Sequence, residues 1–284
     1  MVIKNFLLSV DAGLGKNETP IFPISIFKVK KGVNYDPEDP NYDLFKLSCK
    51  VSSKRLFPNF SFLDAPFNFK YYKENDYNSE VAYMGCRTRV MANNYDPTKE
   101  VTCGRGNLSF TSINLPRLGI LYPNKDEFFK HLDEMCDLVI KQLLDRFEVQ
   151  RHKKVKNMPF LMGQHVWIDS DKLGWDDEID EVIRNGTLTI GFIGLAECLI
   201  ALTGKHHGES EESQKLGLEI VGFMRKKMDE ASEKYHLNFS LIATPAEGLS
   251  GRFVKLDKKR FGIIPGVTDK EFYTNSFHVP VYYP

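Results

Sequence analysis

Cysteine is scarce and poorly placed for cross-linking. The five in 284 residues, Cys49, Cys86, Cys103, Cys136 and Cys198, are an odd number scattered along the chain, so no disulfide framework is expected. No C-x-x-C pair occurs, which argues against a structural zinc site built from this chain. Net charge is missing as well. The 38 basic residues balance 38 acidic ones, so nothing draws the whole chain to nucleic acid or to an anionic membrane. No apolar run approaches the roughly 18 residues that a membrane-spanning helix needs. The opening Met1 to Asp11 has one lysine, a short apolar run and an early acid, a poor signal peptide. Internal repeats, low-complexity tracts and an evident interdomain linker are absent too. The remaining profile, 42% hydrophobic and 27% charged, is that of a soluble cytoplasmic protein long enough to bury a large core. A single continuous α/β unit over residues 1–284 is the expected organisation.

The first hundred residues are rich in aromatics and prolines, which implies short strands and long connections, with a helix near Tyr42 to Lys54. Ile21 to Val29 reads as a buried strand. Leu108 to Leu115 alternates apolar with small polar residues, the pattern of a strand that is polar on one face. Asp126 to Glu148 spaces Phe129, Leu132, Met135, Val139 and Leu143 as one helical stripe, and Glu211 to Lys234 does so with Leu216, Ile220, Phe223 and Met224. Between them, Thr187 to Gly194 reads as a strand turning into a helix from Leu195 to Leu202. The alternation of strands and helices predicts parallel α/β architecture.

Chemistry concentrates in Met84-Gly85-Cys86-Arg87-Thr88 and in Gly104-Arg105-Gly106-Asn107. A lone cysteine is most often a small buried hydrophobe, but Gly85 permits a sharp turn that would hold Cys86 on a loop tip. A nucleophilic thiolate would need a base, and no neighbouring histidine marks one. One-electron chemistry needs none. Asn107 offers an amide donor and acceptor suited to hydroxyls, although Gly-Asn is also a common turn. Thr244-Pro245-Ala246-Glu247 reads as a helix start with Thr244 as cap, Pro245 in the first turn and Glu247 completing a capping box. The same geometry suits phosphate, and Arg252 would add charge. Gly13-Leu14-Gly15-Lys16-Asn17 lacks the spacing of a phosphate loop. His206-His207 reads as an exposed turn, Cys103 as a structural thiol, and Cys136 and Cys198 as core.

Together with Ile113-Asn114-Leu115-Pro116-Arg117, Ala12 to Pro23, Ser53-Lys54-Arg55, Gly262 to Lys270 and Tyr273-Thr274-Asn275-Ser276-Phe277-His278, these segments resemble the anaerobic, class III ribonucleotide reductases, in the family order and over nearly the whole chain. The resemblance implies a ten-stranded α/β barrel with a finger loop in its lumen. It implies that Cys86 carries a transient thiyl radical. It also implies that Asn107 lies beside the ribose, that Met84 is the finger-loop methionine and binds substrate, and that Thr244, Ala246, Glu247 and Gly248 hold substrate phosphates. Ribonucleoside triphosphates, nucleotide effectors and a radical-generating activase are the implied partners, with a homodimer in the full-length protein. The implied cofactors lie outside this chain: a glycyl radical installed by an S-adenosylmethionine and iron–sulfur activase, and structural zinc in a C-terminal domain. No regulatory nucleotide cone and no Arg-x-Cys-Gly-Tyr segment is present, so the expectation is a barrel fragment, inactive alone and prone to self-association through exposed strand edges. A carbon–carbon or carbon–heteroatom lyase of the glycyl radical type, or a non-catalytic α/β binding module, are the alternatives.

Overall fold

The computed structural model describes residues 1–20, 22–84 and 88–276. In chain order the elements are α1 (Val2–Ala12), β1 (Ile26–Val29), α2 (Tyr42–Arg55), β2 (Asn59–Phe62), α3 (Pro66–Phe69), β3 (Tyr83–Met84), β4 (Thr88–Arg89), β5 (Asn107–Asn114), α4 (Leu115–Leu121), α5 (Lys125–Arg151), α6 (Asp180–Ile183), β6 (Thr187–Ile193), α7 (Leu195–Thr203), α8 (Glu211–Tyr235), β7 (Asn238–Ala243) and α9 (Glu247–Phe261). They group into two compact units, residues 1–93 with 98–104, and residues 94–97 with 105–284. Sequence patterning had marked no boundary between them.

In the first unit β1 and β2 pair in parallel across α2, from Ile26 opposite Asn59 to Val29 opposite Phe62. Phe27, Phe45 and Phe60 meet with ring centroids 6.1–6.3 Å apart above a small core of Leu7, Val10, Val29 and Val51. The strand expected from Ile21 is shorter, starting at Ile26: Pro23 has no N–H for a ladder, and Phe22 is exposed. The buried Arg55 gathers the glycine-rich segment after α1, donating to the Asp11 carbonyl at 2.7 and 3.0 Å and to the Asn17 carbonyl at 2.8 Å. A phosphate loop presents N–H groups, whereas this one turns carbonyls onto a cation.

The second unit is a parallel sheet in the order β5-β6-β7, each strand separated from the next by helices. Such connections place helices against the sheet. One face, with Ile113, Leu188, Ile190 and Phe239, packs on α5 and α8 in the main core. On α5 the deepest side chains are Phe128, Leu132, Cys136, Val139 and Leu143, with Phe129 and Met135 only partly covered. Two members of the expected stripe are replaced by a neighbour, Phe129 by Phe128 and Met135 by Cys136. Each such fully buried large side chain is worth about 2 kcal/mol. Leu115, expected to finish a strand, instead opens α4. Asn114 accepts from the Arg117 N–H at 3.3 Å, and Pro116 sits in the first turn where its missing N–H costs nothing. At Gly194 the chain leaves β6 with φ +81° and enters α7, a turn only glycine makes without strain.

Candidate functional site

The second face of the β5-β6-β7 sheet is polar. At its start Asn107 stands opposite Thr187, and its Oδ1 accepts from the Thr187 and Thr189 hydroxyls at 3.3 and 3.2 Å. A bulge between Asn107 and Ser109 brings it onto this face. Asn107 is exposed at the beginning of the strand, so the asparagine belongs to sheet rather than to a turn. Thr189 then meets Ser240 at 2.8 Å. Farther along, Ser112 of β5 meets Thr244, just past β7, at 2.8 Å. This bond passes over Gly191 of β6. A Cβ there would overlap Thr244 Oγ1 and lie 2.8 Å from Ser112 Oγ, so glycine is what lets the two hydroxyls meet. The sequence marked neither Ser112 nor Gly191 as part of the site, since the contact joins residues 132 apart along the chain.

Thr244 does not cap the following helix. The residue preceding α9 is Ala246, no side chain caps it, and Glu247 and Gly248 form its first turn. The capping box expected from Thr244 and Glu247 is therefore corrected. The Thr244 N–H continues the sheet ladder by donating to the Phe192 carbonyl at 3.1 Å, which holds the residue in sheet geometry and turns its hydroxyl toward Ser112. The first bond within the helix runs from the Ser250 N–H to the Ala246 carbonyl at 2.9 Å, so the N–H groups of Glu247, Gly248 and Leu249 precede the helical ladder. Gly248 is exposed, a Cβ on it would meet nothing, and Arg252 is exposed one turn on.

Thr244, Ala246, Glu247 and Gly248 thus cluster at the carboxyl end of the sheet, the end at which open α/β sheets hold ligands. Asn107 lies on the same face at the other end, about 20 Å away along the strands at ~3.3 Å per residue. The hydroxyls of Thr189, Ser240 and Ser112 line the way between them.

Cys86 lies outside the described residues. On either side of residues 85–87, β3 and β4 pair antiparallel, Tyr83 opposite Arg89 and Met84 opposite Thr88. Met84 is the last residue of β3. The other thiols divide by burial. Cys136 is buried and its thiol is pushed up to about 12 by desolvation, while burial and the neighbouring Glu197 push Cys198 higher still. Neither is a thiolate near neutral pH. Cys49 and Cys103 are exposed, and Cys103 donates to Asn78 Oδ1 at 3.2 Å. His206, expected in an exposed turn, is 5% exposed with Nδ1 accepting from the Gly208 N–H at 3.0 Å, and desolvation holds its pKa below the usual histidine value. Among the described residues no group of three or more His, Cys, Asp or Glu is placed to hold a metal ion, and no helix is long and apolar enough to cross a membrane.

At the carboxyl end of the sheet two carboxylates are fully buried. Asp257 of α9 accepts from Asn114 Nδ2 at 2.8 Å, from Arg117 Nε and Nη2 at 2.6 Å each, and from the Tyr273 hydroxyl at 3.0 Å. Burial, then Asp257, pushes the Tyr273 phenol well above its usual range. Glu197 of α7 accepts from the Thr274 hydroxyl at 2.8 Å, from the Thr274 N–H at 3.1 Å and from Lys270 Nζ at 3.2 Å. No spacing in the sequence marks either residue. They became visible only when α7, α9 and residues 270–275 were brought together.

The family model described as anaerobic ribonucleoside-triphosphate reductase matches residues 1–284. Curated relatives carrying that name are 35% identical over 287 residues in Escherichia coli, 35% over 273 residues in Haemophilus influenzae and 33% over 289 residues in Enterobacteria phage T4. These alignments take in 99%, 95% and 99% of this chain but 39%, 37% and 45% of the relatives, so the chain spans about two fifths of their length. In fold it is similar to the anaerobic ribonucleotide reductase of Thermotoga maritima. The structure of that protein with glycerol in the active site superposes with a TM-score of 0.64 at 17% identity, over 99% of this chain and 41% of the other. Its complex with dATP and CTP gives a TM-score of 0.63 at 15% identity, again over 99% and 41%. The parallel α/β arrangement is the one expected of part of an α/β barrel.

Proposed function

The chain belongs to the anaerobic ribonucleoside-triphosphate reductase family, and from that membership we propose that it is the substrate-reducing core of an enzyme converting ribonucleoside triphosphates to 2′-deoxyribonucleoside triphosphates. The observation that carries the reading is the family match over residues 1–284. The polar sheet face, with amide and hydroxyl groups leading to a helix start at its carboxyl end, supports it.

In this reading both compact units belong to one barrel core. A glycyl radical, installed by an S-adenosylmethionine and iron–sulfur activase, supplies the one-electron oxidation of the Cys86 thiol. Cys86, then a thiyl, takes the 3′ hydrogen atom of the ribose, the 2′ hydroxyl leaves as water, and the hydrogen is returned to C3′ at the end. The two electrons come from an external donor, formate or a dithiol. Asn107 has its Oδ1 fixed by Thr187 and Thr189, which orients its Nδ2 as a donor to a ribose hydroxyl. Met84 flanks the thiol. The substrate phosphates meet the N–H groups of Glu247 and Gly248 at the start of α9, with Ala246 setting the entry and Thr244 fixing the turn before it, because its N–H, carbonyl and hydroxyl are held by Phe192, Ser276 and Ser112. Nucleotide effectors, structural zinc, a homodimer and a cytoplasmic location complete the proposal.

The test is turnover of the full-length, anaerobically activated protein with Cys86→Ala beside Cys103→Ala. Cys86→Ala should form no deoxynucleotide while Cys103→Ala keeps activity. Undiminished product from Cys86→Ala would leave that cysteine a structural role only.

A further inference from the structure

Resting on the reductase reading, we infer that Glu197 and Asp257 are positioning residues that fasten residues 273–276 as a strap over the carboxyl ends of β6 and β7, and so set the start of α9 for the substrate phosphates. The strap is fastened residue by residue. Tyr273 donates its hydroxyl to Asp257 of α9 at 3.0 Å. Thr274 gives both its hydroxyl and its N–H to Glu197 of α7, at 2.8 and 3.1 Å. Asn275 Nδ2 reaches Ser250 Oγ of α9 at 3.3 Å. Successive side chains thus go alternately to α9, α7 and α9, the period-2 habit of extended backbone.

The strap's own backbone completes the arrangement. The Thr274 carbonyl accepts from the Gly194 N–H at 2.7 Å, where β6 turns into α7, and the Ser276 N–H donates to the Thr244 carbonyl at 3.3 Å. Thr244 is therefore gripped from two sides, by the strap at its carbonyl and by Ser112 at its hydroxyl. Ser250, on the first turn of α9, is gripped by Asn275.

The two anchors are expensive ones. Glu197 and Asp257 have no exposed side-chain surface, and a buried carboxylate is tolerated only when it is paired and hydrogen-bonded. Each has one cation, Lys270 for Glu197 and Arg117 for Asp257, plus the donors of the strap. Replacing such buried pairs by apolar groups is often neutral for stability, so their distinctive contribution is a fixed geometry. Asp257 also takes Asn114 Nδ2 at 2.8 Å, which ties the end of β5 into the same hub. The carboxylates act through the strap, the strap through Thr244 and Ser250.

The variants that test this remove one hydroxyl each and keep the bulk, Thr274→Val for the Glu197 bond and Tyr273→Phe for the Asp257 bond, in the activated full-length reductase. Each should raise KM for the ribonucleoside triphosphate about fivefold or more with kcat within about twofold of wild type, and Thr274→Ser should restore KM. An unchanged KM in both Thr274→Val and Tyr273→Phe, or a rise that Thr274→Ser does not reverse, overturns the inference. If Tyr273→Phe fails to fold, the Thr274 pair decides alone. Wild-type turnover lost in Cys86→Ala but with KM untouched by the strap variants sinks the strap and spares the reductase reading. A fully activated wild type with no ribonucleotide turnover sinks both.

Discussion

At the scale of single residues the site depends on one missing side chain. Gly191 sits between Ser112 and Thr244, and the bond between their hydroxyls crosses the space a Cβ would fill. Thr244 cannot retreat, because its N–H is held in the ladder by the Phe192 carbonyl. Gly191→Ala should therefore cost about 2–3 kcal/mol of stability, as overpacking in a tight interior does, read as a lower urea midpoint with unchanged slope. A loss under about 0.5 kcal/mol would mean that Thr244 can turn away at little cost. Residue identity was legible here in part. Cys136 and Cys198 read correctly as core from their place in helical patterns, and both are buried. The position of Thr244 was legible and its job was not, because a threonine before a proline and a glutamate has a complete local explanation as a cap. Only the strand register shows that its hydroxyl faces Ser112.

At the scale of elements, periodicity and caps did most of the specifying. α5 begins where Asn124 accepts from the Asp126 and Glu127 N–H groups at 2.9 and 3.2 Å, and both acids sit favourably at the positive end of the helix. Asn124→Ala should destabilise the protein by about 1 kcal/mol, and Asn124→Asp should restore most of it. Equal melting temperatures for wild type and alanine variant would show that the acidic first turn suffices. The expected helices at 42–54, 126–148 and 211–234 are observed as α2, α5 and α8, each extending one to three residues further. The expected strand 187–194 and the helix after it are β6 and α7. Misreadings cluster at prolines. The strand expected to run to Leu115 stops at Asn114, and Pro116 sits in the first turn of α4, since a residue without an N–H suits both a strand end and a helix start. Pro23 shortened β1 for the opposite reason, lacking a donor the ladder would have used.

At the scale of the whole chain the two compact units carry very different cores. Among the described residues the main cluster of the first holds five buried apolar side chains, and the exposed residues of its α1 include Val2, Ile3, Phe6 and Leu8. The second buries a far larger cluster between the sheet and α5 and α8, and six of the seven residues of β6 are buried between β5 and β7. Native-state hydrogen exchange should find the β6 amides slowest, at the global unfolding limit, and those of α1 among the fastest. Uniform protection across both units would argue for one cooperative core. By itself the sequence determined the helices, the parallel α/β class, the inert buried thiols and, through motifs matching a family in order, the chemistry to look for. These are local or cumulative signals, carried by residues a few positions apart. Tertiary structure alone decided that Asn107 joins a polar sheet face, that Thr244 pairs with Ser112 across Gly191, and that Asp257 and Glu197 bond Tyr273 and Thr274. Those contacts join residues 77 apart for Glu197 and Thr274, and 132 apart for Ser112 and Thr244. No periodicity encodes them, because they exist only once the strands have chosen their neighbours and the buried charges have had to find their partners.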